Sequence, residues 1–239
     1  MVDGLGRVIE GINAVHAALD SGRVNELVYL NNKKNTSNQD ILINEAKNKK
    51  VKIVEIKSKS DWPYSNRHSI VALCSPFLTY KESDIKKFQE SNFIVCDHLQ
   101  DTNNLGAIAR SAAAFNFNVL AIPQKRSVKI TEKIFSISSG GLEMINILMY
   151  NSIFSLIKKF RSLDIWTIGL DMNGDIEIEE IDLKDQNVAI FLGSEESGIS
   201  DEIKNKLDIV SKINMVKKFE SINVSVAAGI AMHKIFIKK

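Results

Sequence analysis

The first third of the chain alternates short apolar runs with amphipathic stretches. After Gly11, apolar side chains recur at helical spacing, and the next apolar run, ELVYL, has the length of a strand. The run VKIVEI alternates apolar and polar residues, as a half-buried strand does. The pattern predicts helices over residues 12–20 and 40–48 and strands over residues 26–30, 51–56 and 69–75. These elements indicate a compact α/β module that ends near Pro76.

A more regular alternation begins at Phe93. Apolar runs such as FIVCD, NVLAIP and VAIFLG are separated by stretches with helical periodicity. The pattern predicts strands over residues 93–97, 118–123, 165–170, 188–193 and 209–213, and helices over residues 105–115, 131–138, 152–162, 201–207 and from about 224. Such an alternation is typical of an α/β fold with a mostly parallel sheet that is covered on both faces. We therefore predict a first domain over residues 1–76, a linker over residues 77–90 and a second domain over residues 91–239.

Polar and glycine-rich residues cluster just after three of the predicted strands. The clusters span residues 97–110, 193–198 and 214–223. Because ligands bind beyond the carboxyl ends of the strands in open parallel sheets, these clusters are the candidate functional segments. Residues 171–185 are rich in acidic side chains, and we interpret them as a solvated edge.

The composition is that of an ordinary globular protein. Of the 239 residues, 44% are hydrophobic and 25% are charged, so the chain can bury a core and is not disordered. No apolar run approaches the roughly 18 residues that a membrane span needs. Asp3, Arg7 and Glu10 lie where a signal peptide would be apolar, so we expect a cytoplasmic protein without membrane contact. Two cysteines, Cys74 and Cys96, are too few for a disulfide framework, and we assign both to the core.

Charge adds one feature to this picture. Basic and acidic residues nearly balance, at 31 to 29, so the net charge says little about partners. The N-terminal part nevertheless carries a basic cluster, made of Lys47, Lys49, Lys50, Lys52, Lys57 and Lys59. A solvated surface and a nucleic-acid footprint both account for such a cluster.

Several common catalytic signatures are missing from the sequence. No GxGxxG follows the first strand of either half and no GxxxxGK[ST] occurs, which argues against a dinucleotide enzyme and a phosphate-loop NTPase. HExxH and GxSxG are missing as well. The histidines do not cluster at ligand spacing, so we expect no metal; they are His16, His68, His98 and His233.

Three segments together resemble one enzyme family. DTNNLGAIARSA at 101–112, FLGSEESGIS at 191–200 and INMVKKFESINVSVAAGIA at 213–231 resemble, in order and spacing, the three motifs of the SpoU-type RNA 2′-O-ribose methyltransferases. The N-terminal GINAVHAAL resembles the start of a small substrate-binding domain, itself similar to a ribosomal protein, that one branch of this family carries. The resemblance covers nearly the whole chain. It is strongest to the branch that methylates a guanosine ribose of 23S ribosomal RNA, with the tRNA-directed branch next.

The resemblance implies a fold detail, a cofactor and partners. It implies a deep trefoil knot at the C-terminal end of the second domain, which is a rare exception to the rule that chains stay unknotted. The implied cofactor is S-adenosylmethionine, and the implied partners are structured ribosomal RNA and a second copy of the chain in a homodimer. By position, the cofactor contacts would be Gly193, Ile213, Met215 and Ile222. From the residues alone, the glycine also fits a turn at a strand end and the isoleucines fit core packing.

Five further residues match the implied catalytic positions, namely Asn104, Arg110, Glu195, Ser221 and Asn223. From spacing alone, Asn104, Ser221 and Asn223 also fit helix capping, and Glu195 fits a surface carboxylate near a helix start. Arg110 lies in a segment of Ala, Leu and Ile, where a guanidinium needs an anionic partner or water. Its high pKa makes it a poor base, so we predict that it lowers the pKa of the target hydroxyl or holds a phosphate. The proton acceptor stays open.

The sequence departs from the family pattern at Asn103, where His is frequent, at Asn214, where Pro is usual, and at Lys217, where Gly is usual. The last two bracket the expected cofactor loop, so they bear on cofactor affinity. Two other functions stay open at this point. One is the same chemistry on tRNA, and the other is a non-catalytic RNA-binding or ribosome-assembly factor on the same fold.

Overall fold

The computed structural model describes residues 5–31, 37–65, 67–125, 130–183, 186–195, 197–216, 218 and 221–238. The chain divides into two compact units. The first comprises residues 1–78 and 130–144, and the second comprises residues 79–129 and 145–239. None of the described helices is long and apolar enough to cross a membrane.

The strands and helices follow one another in chain order. The strands are β1 (Val8–Glu10), β2 (Val24–Leu30), β3 (Lys52–Ile56), β4 (Ile70–Cys74), β5 (Thr79–Lys81), β6 (Phe93–Cys96), β7 (Val119–Pro123), β8 (Asn146–Tyr150), β9 (Trp166–Leu170), β10 (Ile176–Glu177), β11 (Val188–Leu192) and β12 (Ile209–Lys212). The α-helices are α1 (Ile12–Asp20), α2 (Ser37–Asn48), α3 (Thr102–Ala114), α4 (Glu132–Ile137), α5 (Ile153–Ser162), α6 (Asp201–Lys204) and α7 (Val224–Phe236). Turns of 3-10 helix cover Lys59–Asp61, Glu82–Phe88 and Gly141–Met144.

The first unit is built on a four-stranded sheet in the order β1–β4–β2–β3. Strand β4 is antiparallel to both of its neighbours, and β3 is parallel to β2. Helices α1 and α2 pack together, α1 against β4 and α2 against β3. Val28, Leu30, Trp62 and Val71 form a buried cluster on this sheet. The sheet thus contains all three strands predicted for this region, together with β1, which is too short to show an alternation.

The segment 130–144 belongs to the first unit, although the sequence pattern places it in a second domain over residues 91–239. Arg23 forms an ion pair with Glu143, whose side chain is 1% exposed. The rings of Phe77 and Phe135 meet edge to face at 5.3 Å. These contacts join residues far apart in the sequence, so the helical periodicity that predicts α4 carries no information about where α4 packs.

The second unit is an eight-stranded sheet in the order β10–β12–β9–β11–β6–β7–β8–β5. Every pairing in it is parallel. Phe93, Val119 and Ala189 share a buried cluster with residues of α5, including Phe160. The alternate strand positions point to the opposite face, where α7 contacts β9 and β11 and α3 contacts β7. The prediction of an α/β fold with a mostly parallel, two-sided sheet is confirmed.

Residues 79–88, which the sequence analysis assigns to a linker over 77–90, form ordered structure in the second unit. Strand β5 pairs with β8 at the sheet edge, and a 3-10 helix follows it. Glu82 starts this helix and accepts hydrogen bonds from Ser155 Oγ at 2.5 Å and the Asn151 amide at 3.2 Å, while Lys159 Nζ lies 2.9 Å away. Burial alone would raise the pKa of Glu82, but these donors outweigh it and hold the pKa below the ordinary 4.5.

Candidate active site

The loops after four neighbouring parallel strands meet at one edge of the eight-stranded sheet. Strands β6, β11, β9 and β12 lie side by side, so their carboxyl ends point in the same direction. The loops after β11, β9 and β12 line a cavity of about 630 Å³, which we call the large cavity. Its lining includes seven residues that the sequence analysis singles out, namely Gly193, Glu195, Ile213, Met215, Ser221, Ile222 and Asn223.

The loop after β11 is closed on itself and leaves room only for glycine at its start. Ser194 and Gly198 exchange two backbone hydrogen bonds, of 3.2 and 3.0 Å. A Cβ on Gly193 would lie 2.0 Å from the carbonyl carbon and oxygen of Gly198. Gly198 itself has a φ of +64°, in the left-handed region. The backbone of this loop therefore forms a wall of the large cavity directly.

A chain of side-chain hydrogen bonds joins the three candidate segments. Asn104 Nδ2 donates to Glu195 Oε1 at 3.1 Å, and Asn223 Nδ2 donates to Asn104 Oδ1 at 3.0 Å. Asp101 caps α3 by accepting from the Asn103 amide, so Asn104 is in the first turn and is buried. Asn223 caps α7 by accepting from the Ser225 amide at 2.8 Å. Asn223 therefore has both the capping role that its spacing suggests and a contact to the other two segments.

A second, small cavity of about 450 Å³ adjoins the first. It is lined by His98, Gln100, Asp101, Asn104, Ser194 and Glu195. Ser194 and Glu195 line both cavities, so ligands in the two would meet at these side chains. Among the described residues that line the small cavity, His98 carries the only imidazole, and Asp101 and Glu195 carry carboxyl groups.

Two of the predicted catalytic residues stand apart from the hydrogen-bonded chain. Arg110 lies on the exposed side of α3, lines neither cavity and forms no ion pair or hydrogen bond with another described residue. Ser221 is exposed and lines the large cavity, but it makes no hydrogen bond within the described ranges. The structure thus joins Asn104, Glu195 and Asn223 directly and leaves Arg110 facing solvent.

Four further residues, three of them polar, line the large cavity without having been predicted from the sequence. Asp171, Met172 and Asn173 follow β9, and Lys204 is in α6. Lys204 Nζ lies 3.5 Å from Asp171 and 2.8 Å from Asp201, and the hydrogen bond to Asp201 raises the pKa of Lys204. The acidic composition of residues 171–185 indicated a solvated edge. The start of that stretch could have been found from its position, because it follows a strand that neighbours β11.

The departures from the family pattern lie around the same loops. Asn103 is exposed, and its backbone amide completes the cap of α3. Asn214 is exposed in the loop after β12. Lys217 lies outside the described residues.

One group of potential metal ligands lies in the first unit. The ligand atoms of His16, Asp20 and Glu45 all fall within 4.8 Å of one another, although the sequence spacing suggested no clustering of histidines with other ligands. Lys49 Nζ lies 2.8 Å from Asp20 and 2.9 Å from Glu45. Its ammonium group already forms ion pairs with both carboxylates, and the hydrogen bond from Lys49 lowers the pKa of Asp20.

Comparison with known proteins places these loops within a known family of sequences. The sequence profile of the SpoU rRNA Methylase family matches residues 91–233, which include the loops after β6, β11 and β12. The chain belongs to this family. A protein of Staphylococcus aureus (strain MSSA476), assigned to the TrmH family of tRNA/rRNA methyltransferases, is 31% identical to this SpoU-family chain over 241 residues, which cover 97% of the chain and 96% of that relative.

Solved structures share the fold of this SpoU-family protein at low sequence identity. The SpoU methyltransferase AviRb of Streptomyces viridochromogenes, solved with AdoMet, is 18% identical and has a TM-score of 0.78, with 97% of this chain and 89% of that chain covered. An AdoMet-bound rRNA methyltransferase of Sinorhizobium meliloti is 20% identical with a TM-score of 0.75, covering 95% of this chain and 85% of that chain.

Proposed function

We propose that the protein transfers the methyl group of S-adenosylmethionine to a ribose 2′-hydroxyl of 23S ribosomal RNA, with guanosine as the target nucleoside. Family membership makes the protein an RNA methyltransferase that uses S-adenosylmethionine. The ribose, the guanosine and the ribosomal RNA are our proposal. The observation that carries it is the chain of hydrogen bonds from Glu195 through Asn104 to Asn223, which links the three motif segments beside a cavity of cofactor size.

The large cavity fits the cofactor in volume and chemistry. Its 630 Å³ lies within the roughly 300–1,000 Å³ that small-molecule sites occupy. Ile213 and Ile222 offer an apolar surface for an adenine ring, and Met215 lines the same cavity. At Gly193 the bare backbone can approach a ligand closely. S-adenosylmethionine would supply a methyl group on a sulfonium centre, whose sulfur leaves readily.

The protein's own residues would then align the acceptor and manage its proton. Asn104 holds the carboxylate of Glu195 in one orientation at the boundary of the two cavities. Asn223 fixes Asn104 in turn, and Ser221 lies beside it on the cavity wall. Arg110, exposed on α3, can hold an RNA phosphate near the acceptor or stabilise the oxygen as it loses its proton. Alignment of this kind supplies a large part of the rate of a displacement reaction.

In this proposal, the first unit binds the RNA substrate. The lysines of the basic cluster are all exposed, and β3, which carries Lys52, is the edge strand of the four-stranded sheet. Lys49 and Lys52 form ion pairs with acidic neighbours. Lys47 and Lys57 form none with described residues, which leaves them available to phosphates.

We further propose a homodimer, a trefoil knot in the C-terminal part of the second unit and a cytoplasmic location. The dimer is supported by apolar side chains that α7 and the residue after it expose, since Val226, Phe236 and Ile237 are 52%, 47% and 56% exposed. An exposed apolar face of this kind is typical of a protein interface.

The experiment that tests the proposal maps ribose methylation across all cellular RNA in cells with and without the gene. We expect one 2′-O-methylated guanosine of 23S RNA to disappear without the gene. Complementation with the wild type should restore it, and complementation with Gly193→Ala, which forces the loop after β11 out of its shape, should not. Methylation of purified RNA by the purified protein then shows that the effect is direct.

Other outcomes would contradict specific parts of the proposal. If a methyl group disappears from tRNA instead, the substrate is tRNA and not ribosomal RNA. The description of the relatives as tRNA/rRNA methyltransferases is compatible with either substrate. Loss of a base methyl group would refute the ribose. An unchanged methylation map would favour the non-catalytic RNA-binding factor.

A further inference from the structure

His98 has an unusual backbone conformation at the wall of the small cavity. It is the second residue after β6 and has a φ of +57°, in the left-handed region that side chains rarely adopt. The ring is half-exposed and lines the small cavity. A residue kept in this conformation at a cavity wall suggests that its side chain is needed there.

A hydrogen-bonded relay fixes the orientation of the ring. His98 Nδ1 lies 2.7 Å from Asp97 Oδ1. Tyr150, which is 2% exposed, donates its hydroxyl to the same carboxylate oxygen at 3.2 Å and to the Cys96 carbonyl at 3.3 Å. Burial, and then the charge of Asp97, raises the pKa of Tyr150, so the phenol stays protonated and remains a donor.

The relay determines which ring nitrogen can accept a proton. Because Asp97 accepts a hydrogen bond from Nδ1, that nitrogen carries the proton of the neutral imidazole, and Nε2 is left as the acceptor. Nε2 has no hydrogen-bond partner among the described residues. An Asp–His pair of this kind is the arrangement by which a carboxylate orients a general base and stabilises its protonated form.

The other titratable groups near His98 are three carboxyl groups and a phenol. Asp97 follows β6, Asp101 caps α3, Glu195 lies in the loop after β11, and Tyr150 ends β8. Asp101 is occupied with the Asn103 amide and Glu195 with Asn104. The ring of His98 therefore lies among acidic groups. Carboxylates have ordinary pKa values near 4, whereas an imidazole titrates close to neutral pH, where a general base works best.

We propose that His98 is the proton acceptor for the ribose 2′-hydroxyl, which gives the relay of Tyr150, Asp97 and His98 a catalytic role. The 2′-oxygen gives its proton to Nε2 of His98 and bonds to the methyl carbon, while the electron pair of the broken carbon–sulfur bond stays on the sulfur of the departing thioether. The imidazolium then returns its proton to water. This inference rests on the proposed function, because it requires a ribose hydroxyl in the small cavity.

The test uses His98→Asn in the full-length protein and the RNA that the methylation map identifies. Asparagine tolerates a left-handed backbone, and its amide can still donate to Asp97, but it offers no imidazole nitrogen. We expect single-turnover methyl transfer at saturating cofactor to fall by about 100-fold or more, in line with the loss of a general base. The decline of the wild-type rate at acid pH should disappear in the variant. Its melting temperature and its calorimetric affinity for S-adenosylmethionine should not change.

Binding without the cofactor provides a second readout. Wild-type protein should bind the RNA with a normal target ribose about 3- to 10-fold more tightly than RNA with a 2′-deoxyribose there, which is the value of one hydrogen bond. His98→Asn should bind the two RNAs equally. Glu195→Gln serves as the comparison, since it removes a carboxylate from the same wall and should keep the acid decline of the rate.

The outcomes separate this inference from the function on which it rests. If the wild type methylates a ribose but His98→Asn does so at the same rate and with the same pH profile, His98 is not the acceptor and the proposed function stands. If Glu195→Gln abolishes the acid decline instead, the carboxylate is the base. If the wild type methylates no ribose, the proposed function fails, and this inference fails with it.

Discussion

Replacing Gly193 by alanine is the sharpest test of the large cavity as the cofactor site. The new Cβ would lie 2.0 Å from two backbone atoms of Gly198, more than 1 Å inside the ordinary contact of 3.4 Å. No side-chain rotation can relieve a clash with backbone, so the loop must open and lose the two hydrogen bonds between Ser194 and Gly198. Two such bonds at ~1 kcal/mol each and a packing cost of ~1–3 kcal/mol give a loss near 4 kcal/mol. If the loop opens locally, cofactor affinity falls by about 1,000-fold.

Calorimetric titration with S-adenosylmethionine measures this loss, and thermal unfolding shows whether the loop or the whole unit is affected. The matched control is Gly229→Ala in the middle of α7, where the added Cβ would lie 3.5 Å from Ser111 Oγ in ordinary contact. Because alanine favours a helix over glycine by ~1 kcal/mol, the control should keep its cofactor affinity and melt slightly higher. The reasoning is refuted if Gly193→Ala binds the cofactor as tightly as the wild type does.

Three further outcomes follow from the structure. Arg110→Ala should lower the single-turnover rate of methylation by about 100-fold while cofactor affinity and melting temperature stay the same. Arg110→Lys should restore little of the rate, because an ammonium lacks the planar, forked donors of a guanidinium. A wild-type rate in Arg110→Ala would contradict the catalytic role of Arg110. Arg23→Leu leaves the buried Glu143 carboxylate without its cation and should cost ~3–5 kcal/mol of unfolding free energy, whereas adding Glu143→Leu should recover much of it, as measured by denaturant unfolding. The pKa of Glu82 is lowered in the folded state, so its contribution to stability is complete above pH 4.5 and is lost as the pH falls further. Glu82→Gln should therefore weaken the loss of stability at acid pH in melting curves recorded from pH 7 to pH 3. An unchanged pH dependence of the melting temperature would contradict this role of Glu82.

The sequence predicted the parts of the fold that depend on local periodicity. The central strands β6, β7 and β11 are completely buried, so their apolar runs stand out. Strand β5 has only three residues, Thr79–Lys81, none of them fully buried, and its pairing with β8 depends on a partner about 70 residues away along the chain. Such a strand leaves no periodic signal.

The contacts of the candidate site also include some that the sequence could predict and some that it could not. The meeting of Asn104, Glu195 and Asn223 could be anticipated, because each follows or begins an element at the carboxyl edge of the parallel sheet. Asp171 also follows a strand at this edge of the sheet, but the acidic composition of residues 171–185 favoured a solvated segment there. The contact between Tyr150 and Asp97 depends on the order of the strands in the sheet, in which β7 separates β6 from β8, and no local pattern records that order.

The path of the chain between the two units affects the order in which the protein can fold during synthesis. The chain leaves the first unit after Leu78, returns at Ile130 and leaves again after Met144. At a synthesis rate of 5–20 residues per second, the ribosome needs roughly 3–13 s to advance from the first crossing to the last. During that time Arg23 has no Glu143 to pair with, so the first unit waits, incomplete, for residues made only after part of the second unit has emerged. The first unit can therefore be completed only after residues 79–129 of the second unit have been made, so its folding depends on the timing of the other unit's synthesis.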